Sequence, residues 1–143
     1  MQKRAWLLPL SLLAVISTPG KAACFEEAAS RYRVPSVLLK AISRVESAGN
    51  PSALNRNKDG SFDIGHMQIN SRWLPILSHF GISRDQLWDP CTNTLVGAWI
   101  LAQIVQRNGY SWNAIGAYNA ASPDKRDRYA RKISDAMKRE SAL

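Results

Sequence analysis

From Phe25 onward the apolar positions of the chain fall into helical periods broken by one polar stretch. Phe25 to Tyr32 reads as a first short helix. Pro35 suits the first position of a second helix, with Val34 extended before it. In that helix Val37, Leu38, Ala41, Ile42 and Val45 recur on one face. It should stop near Ala48-Gly49-Asn50-Pro51, where Gly and Pro both break a helix. Residues 55–63 are dense in Asn, Asp, Gly and Ser. Asp59-Gly60 is a turn signal, which predicts a small β-hairpin or an irregular loop. Helical character returns from Ile69 to Phe80, interrupted at Pro75. A long helix is expected from Asp89-Pro90 to about Arg107, with Leu95, Val96, Trp99, Ile100, Ile104 and Val105 apolar, ended by Asn108-Gly109. Ser111 can cap a helix over Trp112 to Ala120, and Pro123 can start a last one reaching about Lys138. The pattern gives an α+β class, mainly α, with a small β-hairpin element in one domain from about residue 23 to 140.

The first 22 residues differ from the rest. Lys3 and Arg4 precede an apolar run from Ala5 to Ile16, followed by small residues from Ser17 to Ala23. This is the order of a secretory signal peptide, with processing before Ala23 or before Cys24. The run is too short for a typical membrane span of about 20 apolar residues. A retained N-terminal anchor and a lipoprotein built on Cys24 are the alternatives, the second disfavoured by Lys21 three positions earlier. Residues 1–22 are therefore expected to be a leader and 23–143 the folded domain, exported to the periplasm. Two cysteines then remain, Cys24 and Cys91. An even count in an oxidising compartment predicts that they pair. The bridge would close a loop of about 67 residues, worth about 4 kcal/mol in the chain-entropy treatment. Two cysteines with the distant His66 and His79 give no metal-ligand cluster.

Composition bounds the partners. The chain has 143 residues and a formal net charge of +8, and removal of the leader leaves about +5. Seven basic residues lie between Pro123 and Leu143. Such a chain is drawn to polyanions: nucleic acid, anionic lipid or an acidic wall polymer. No nucleic-acid-binding motif is present, so nucleic acid is not expected as a partner.

The candidate chemistry lies between Glu46 and Asn119. Glu46 ends an apolar helix, where desolvation and the C-terminal end of the helix dipole both favour its protonated form. A hairpin folding back over that helix end could set Asp63 across a cleft from it. Two carboxyls in unlike environments can divide acid and charge-stabilising roles. Gln68 offers an amide donor and acceptor to a bound ligand. Tyr118, Asn119 and Ser47 are further candidates for contact or positioning, and Trp73 could stack on a sugar face. Trp88, Trp99 and Trp112 suit the core better, as does Met67, and His66 reads as a packing or surface histidine.

The surrounding string carries a resemblance. Glu46-Ser47, Gly65-His66-Met67-Gln68 and Ala117-Tyr118-Asn119 resemble the three motifs of soluble lytic transglycosylases, and Tyr129-Ala130-Arg131-Lys132-Ile133 resembles their late Tyr motif. Asn55-Arg56-Asn57-Lys58-Asp59-Gly60-Ser61-Phe62-Asp63, with Gln68-Ile69-Asn70-Ser71-Arg72-Trp73, also resembles animal C-type lysozymes. Over nearly the whole mature chain the sequence is most similar to the small IagB-like group of specialised transglycosylases, tied to secretion systems and conjugative pili. Two departures stand out: His66 occupies a position that is usually Leu, and Ala121 one that is often Gly. The resemblance implies a lysozyme-like fold, a monomer and no metal or organic cofactor. Its substrate would be peptidoglycan glycan strands. Glu46 would be the acid and Asp63 a second carboxylate. A lytic transglycosylase, a hydrolytic muramidase and a weakly active wall-binding assembly protein all remain open.

Overall fold

The computed structural model describes residues 22–143, so nearly all of the expected leader lies outside it. α1 (Phe25–Tyr32) turns through Arg33, in the left-handed region at φ 54°, into α2 (Ser36–Ser47). Pro35 precedes α2 as its N-cap and does not occupy its first turn. The N–H groups of Ala48 and Gly49 close the other end of α2 on the Arg44 and Ser43 carbonyls. Ala48 itself takes the left-handed conformation there, one residue ahead of the glycine that the sequence offers.

The polar stretch forms a three-stranded antiparallel sheet, β1 (Leu54–Arg56), β2 (Phe62–Ile64) and β3 (Ile69–Asn70), in that order. The first two strands are the expected hairpin, while β3 corrects the helical reading of Ile69–Phe80. Asn70 leaves the sheet extended, and its side chain accepts from the Arg72 N–H to cap a single 3-10 turn over Ser71–Trp73. α3 follows as Leu74–His79, with Pro75 in its first turn, where a missing N–H costs nothing. The proline begins this helix and does not interrupt it.

α4 (Pro90–Asn108) starts as the sequence predicts, with the Asp89 carboxylate accepting from the Thr92 N–H (2.8 Å). α5 is shorter than expected, Trp112–Gly116, capped by Ser111, and the chain then turns through Ala117 to Asn119. α6 runs from Pro123 to Ser141. The core lies among these helices and reaches the sheet: Leu38, Leu39, Ile42, Leu101 and Ile133 are buried together with Ile64 and Met67. Trp88 and Trp99 are partly buried against it. Trp112 is not a core residue: 49% of it is exposed, because it opens α5 at the surface.

Cys24 and Cys91 are joined as a disulfide, tying the start of α1 to the start of α4. Among the described residues no helix is long and apolar enough to cross a membrane.

Candidate active site

A groove of about 900 Å³ runs between the end of α2, the sheet, α3 and the turn after α5. Glu46, Asn55, Asn57, Asp63, Gln68, Trp73, Tyr118 and Asn119 are among the residues that line it.

The two carboxyls sit in different surroundings. Glu46 occupies the last turn of α2, partly buried. Burial pushes its pKa up to about 7, and the nearby negative charge of Asp63 acts in the same direction. Three groups oppose the rise: the Tyr129 hydroxyl, which donates to Oε1 at 2.5 Å, the side-chain amide of Asn119 nearby, and the positive charge of Lys132. Burial wins, so about half of the molecules still carry the carboxylic acid near pH 7. Asp63 lies in the central strand, paired with Asn55 on one side and Asn70 on the other. Its oxygens accept from three side-chain amides: Asn70 to Oδ1 (2.7 Å), and Asn57 (3.0 Å) and Asn55 (3.3 Å) to Oδ2. An acceptor-only carboxylate satisfies all three. Ser61 links the same amides to the turn, accepting from Asn57 and Asn70 while donating to Asp59, which also pairs with Arg72.

The floor of the groove is the segment 65–68, seated on α4. Met67 is fully buried, and its N–H donates to Asn93 Oδ1 (2.8 Å). The Asn93 amide in turn donates to the Ile64 and Leu87 carbonyls. Gly65, at φ 74°, brings the backbone so close that a Cβ would lie 2.3 Å from the Asn93 amide nitrogen. Gly97 of α4 accommodates Met67, whose Cε would stand 2.8 Å from an added Cβ. His66 is buried. Its Nε2 meets the Pro90 carbonyl (3.0 Å) and so carries the proton, while Nδ1 accepts from the Ser43 hydroxyl (2.8 Å). Burial holds the imidazole below its ordinary pKa, in the neutral form that this pattern needs.

The remaining expected residues are placed as follows. Ser47 does not line the groove; its hydroxyl donates to the His66 carbonyl (2.9 Å) and caps the following turn through the Asn50 N–H. Tyr118 lines the groove, but its hydroxyl donates to the Met67 carbonyl (2.8 Å). Burial raises that phenol well above its usual pKa, so it stays a donor. Gln68 lines the groove at φ 51°, with its amide donating to the Gly65 carbonyl (2.9 Å). Trp73 lines the groove and meets Trp99 edge-on, 5.6 Å between ring centres.

Sequence reasoning noted the late Tyr motif without giving Tyr129 a contact, and it missed the three amides around Asp63. Alternation in the hairpin, which puts Asn55, Asn57 and Asp63 on one face, was the available signal for two of them.

Comparison with known proteins places this arrangement. Residues 23–140 match the family described as Transglycosylase SLT domain. The chain is 47% identical over 115 residues to the invasion protein IagB of Salmonella typhimurium, covering 77% of this chain and 72% of that one. It is 39% identical over 129 residues to protein IpgF of Shigella flexneri, covering 90% and 85%. Among solved structures, an inactive mutant of lytic transglycosylase Slt from Pseudomonas aeruginosa superposes with a TM-score of 0.65 at 25% identity. That match takes in 79% of this chain and 22% of the larger protein.

Proposed function

The chain belongs to the SLT-domain family of peptidoglycan lytic transglycosylases, and from that premise we propose that Glu46 is its proton donor and acceptor. The bond cleaved is the β-1,4 link between N-acetylmuramic acid and N-acetylglucosamine. Glu46 protonates the bridging oxygen, a step open to a carboxyl with a pKa of about 7. Positive charge then builds on the muramoyl ring, stabilised by the sugar's own N-acetyl group, by Asp63, or by both. The ionised Glu46 next takes the proton of the muramoyl 6-hydroxyl, whose oxygen closes a 1,6-anhydro ring. Tyr129 and Asn119 hold the Glu46 carboxyl in place through both transfers. Gln68 and Trp73 meet the sugars, while Ser47 and Tyr118 act one step back by gripping the floor carbonyls.

The observation that carries this reading is Glu46 in its desolvated position on the groove, with Asp63 close enough for its charge to be felt. Asp63, held by three amides, supports a second reading in which water replaces the 6-hydroxyl and the enzyme is a hydrolytic muramidase. Mass spectrometry of digested sacculi separates the two: anhydromuramoyl ends are expected, and reducing ends alone would establish hydrolysis. In the cell, the chain would act in the periplasm after loss of residues 1–22, opening the wall locally for a secretion or pilus apparatus.

A further inference from the structure

One flank of α6 lies beside Tyr129, whose hydroxyl reaches Glu46 on the groove, and it carries exposed cations. The inner face of the helix is apolar, with Tyr129, Ile133 and Ala136 buried. Beside it stand Lys125, Arg128 and Lys132, all exposed. Their i, i+3, i+7 spacing aligns them in one stripe over two turns, about 10 Å long. The stripe adjoins Tyr129, whose hydroxyl reaches Glu46, and the charge of Lys132 is felt at Glu46 itself. Among the described residues none of the three has an ion pair or a side-chain hydrogen bond. Other bases of α6 are engaged: Lys138 with Asp135, and Arg126 with the Ala120 carbonyl and Asn113. Across the groove, Arg72 is paired with Asp59. Arg56 alternates with the groove-facing Asn55 and Asn57, and so points to the other face of the sheet.

We propose that Lys125, Arg128 and Lys132 form a docking ridge for the carboxylates on the lactyl-peptide substituents of the muramoyl sugars. This rests on the reading of the groove as a peptidoglycan site. A strand lying between Glu46 and Asp63 carries its substituents out past one wall or the other. On the α6 side, exposed cations without ion pairs stand beside Tyr129, next to Glu46 on the groove. Ammonium and guanidinium groups on long side chains can follow a mobile peptide, and the attraction reaches about a Debye length. Lys125 and Arg128 select for charge and do not take part in bond cleavage, whereas the charge of Lys132 also acts on Glu46.

The test compares cleavage of native sacculi with cleavage of sacculi whose carboxyls are capped as neutral amides. The protein should favour native sacculi about tenfold in kcat/KM at low salt, and the advantage should fade as salt rises. The double variant Lys125→Gln, Arg128→Gln, which leaves Lys132 beside Glu46 untouched, should lose most of that advantage through KM, and Lys125→Arg with Arg128→Lys should keep it. Equal cleavage of both substrates by the unaltered protein overturns the ridge while leaving the proposed function intact. So does a double variant that loses activity equally on both, or one that keeps the full preference and fails only to bind an acidic protein. Cleavage of neither substrate by the unaltered protein defeats the function itself.

Discussion

Glu46 and Asp63 face one groove from two regions built on opposite plans. Glu46 is carried by a helix packed into the apolar core, and its environment is made by exclusion of water. Asp63 is carried by a three-stranded sheet of largely polar residues, and its environment is made by Asn55, Asn57 and Asn70. The first region raises the pKa of its acid to about 7. The second surrounds its acid with donors. Two identical functional groups thus sit in unlike settings, one desolvated and the other ringed by hydrogen-bond donors.

Substitutions can break this contrast in steps. Glu46→Gln keeps the shape and removes the proton, so cleavage of sacculi should fall by about 10³-fold, the scale of a lost general acid. A rate within tenfold of the original would place the acid elsewhere. Asp63→Asn turns an acceptor into an amide facing three amides. We expect about a 10²-fold fall, and a near-normal rate would make Asp63 structural. Tyr129→Phe deletes the donor to Glu46 Oε1. Because that bond lowers the Glu46 pKa, its loss should move the alkaline limb of the pH–rate profile upward and cost about tenfold in rate. An unmoved limb would exclude Tyr129 from positioning the acid.

The smallest expected effect is on stability. Unfolded, Glu46 titrates near 4.5; folded, near 7. Below pH 4.5 both states are protonated and the residue costs nothing. As pH rises from 4.5 to 7 the unfolded chain ionises first, and stability falls by at most about 3 kcal/mol. Glu46→Gln should therefore gain stability at pH 8 relative to pH 4 in urea unfolding. An equal difference at both pH values would mean that the carboxyl is not desolvated.

The helical region was the more legible in the sequence. α1, α4 and α6 follow apolar periods of 3.6 with Asp89-Pro90 and Pro123 marking starts, and these signals are local. β3 was hidden because Ile69-Asn70 is only two residues long and is a strand solely through pairing with β2. Trp112 was read inward because apolar size argues for burial, whereas it opens α5 at the surface. Glu46 and Asp63 were legible as a pair through their spacing and the strings around them. The contact of Tyr129 with Glu46 was not, since it joins residues 83 apart in sequence and depends on how α6 crosses α2.

The consecutive carbonyls of His66 and Met67 anchor both banks of the groove, one held by Ser47 at the end of α2 and the other by Tyr118 after α5. Residues 58–60, by contrast, lie exposed at the tip of the hairpin. Descendants of this chain can lengthen or rewrite that tip, and so reshape what the site admits, while the anchored tetrapeptide keeps the acid where it is. Innovation at the rim and constancy at the floor are separable in this architecture.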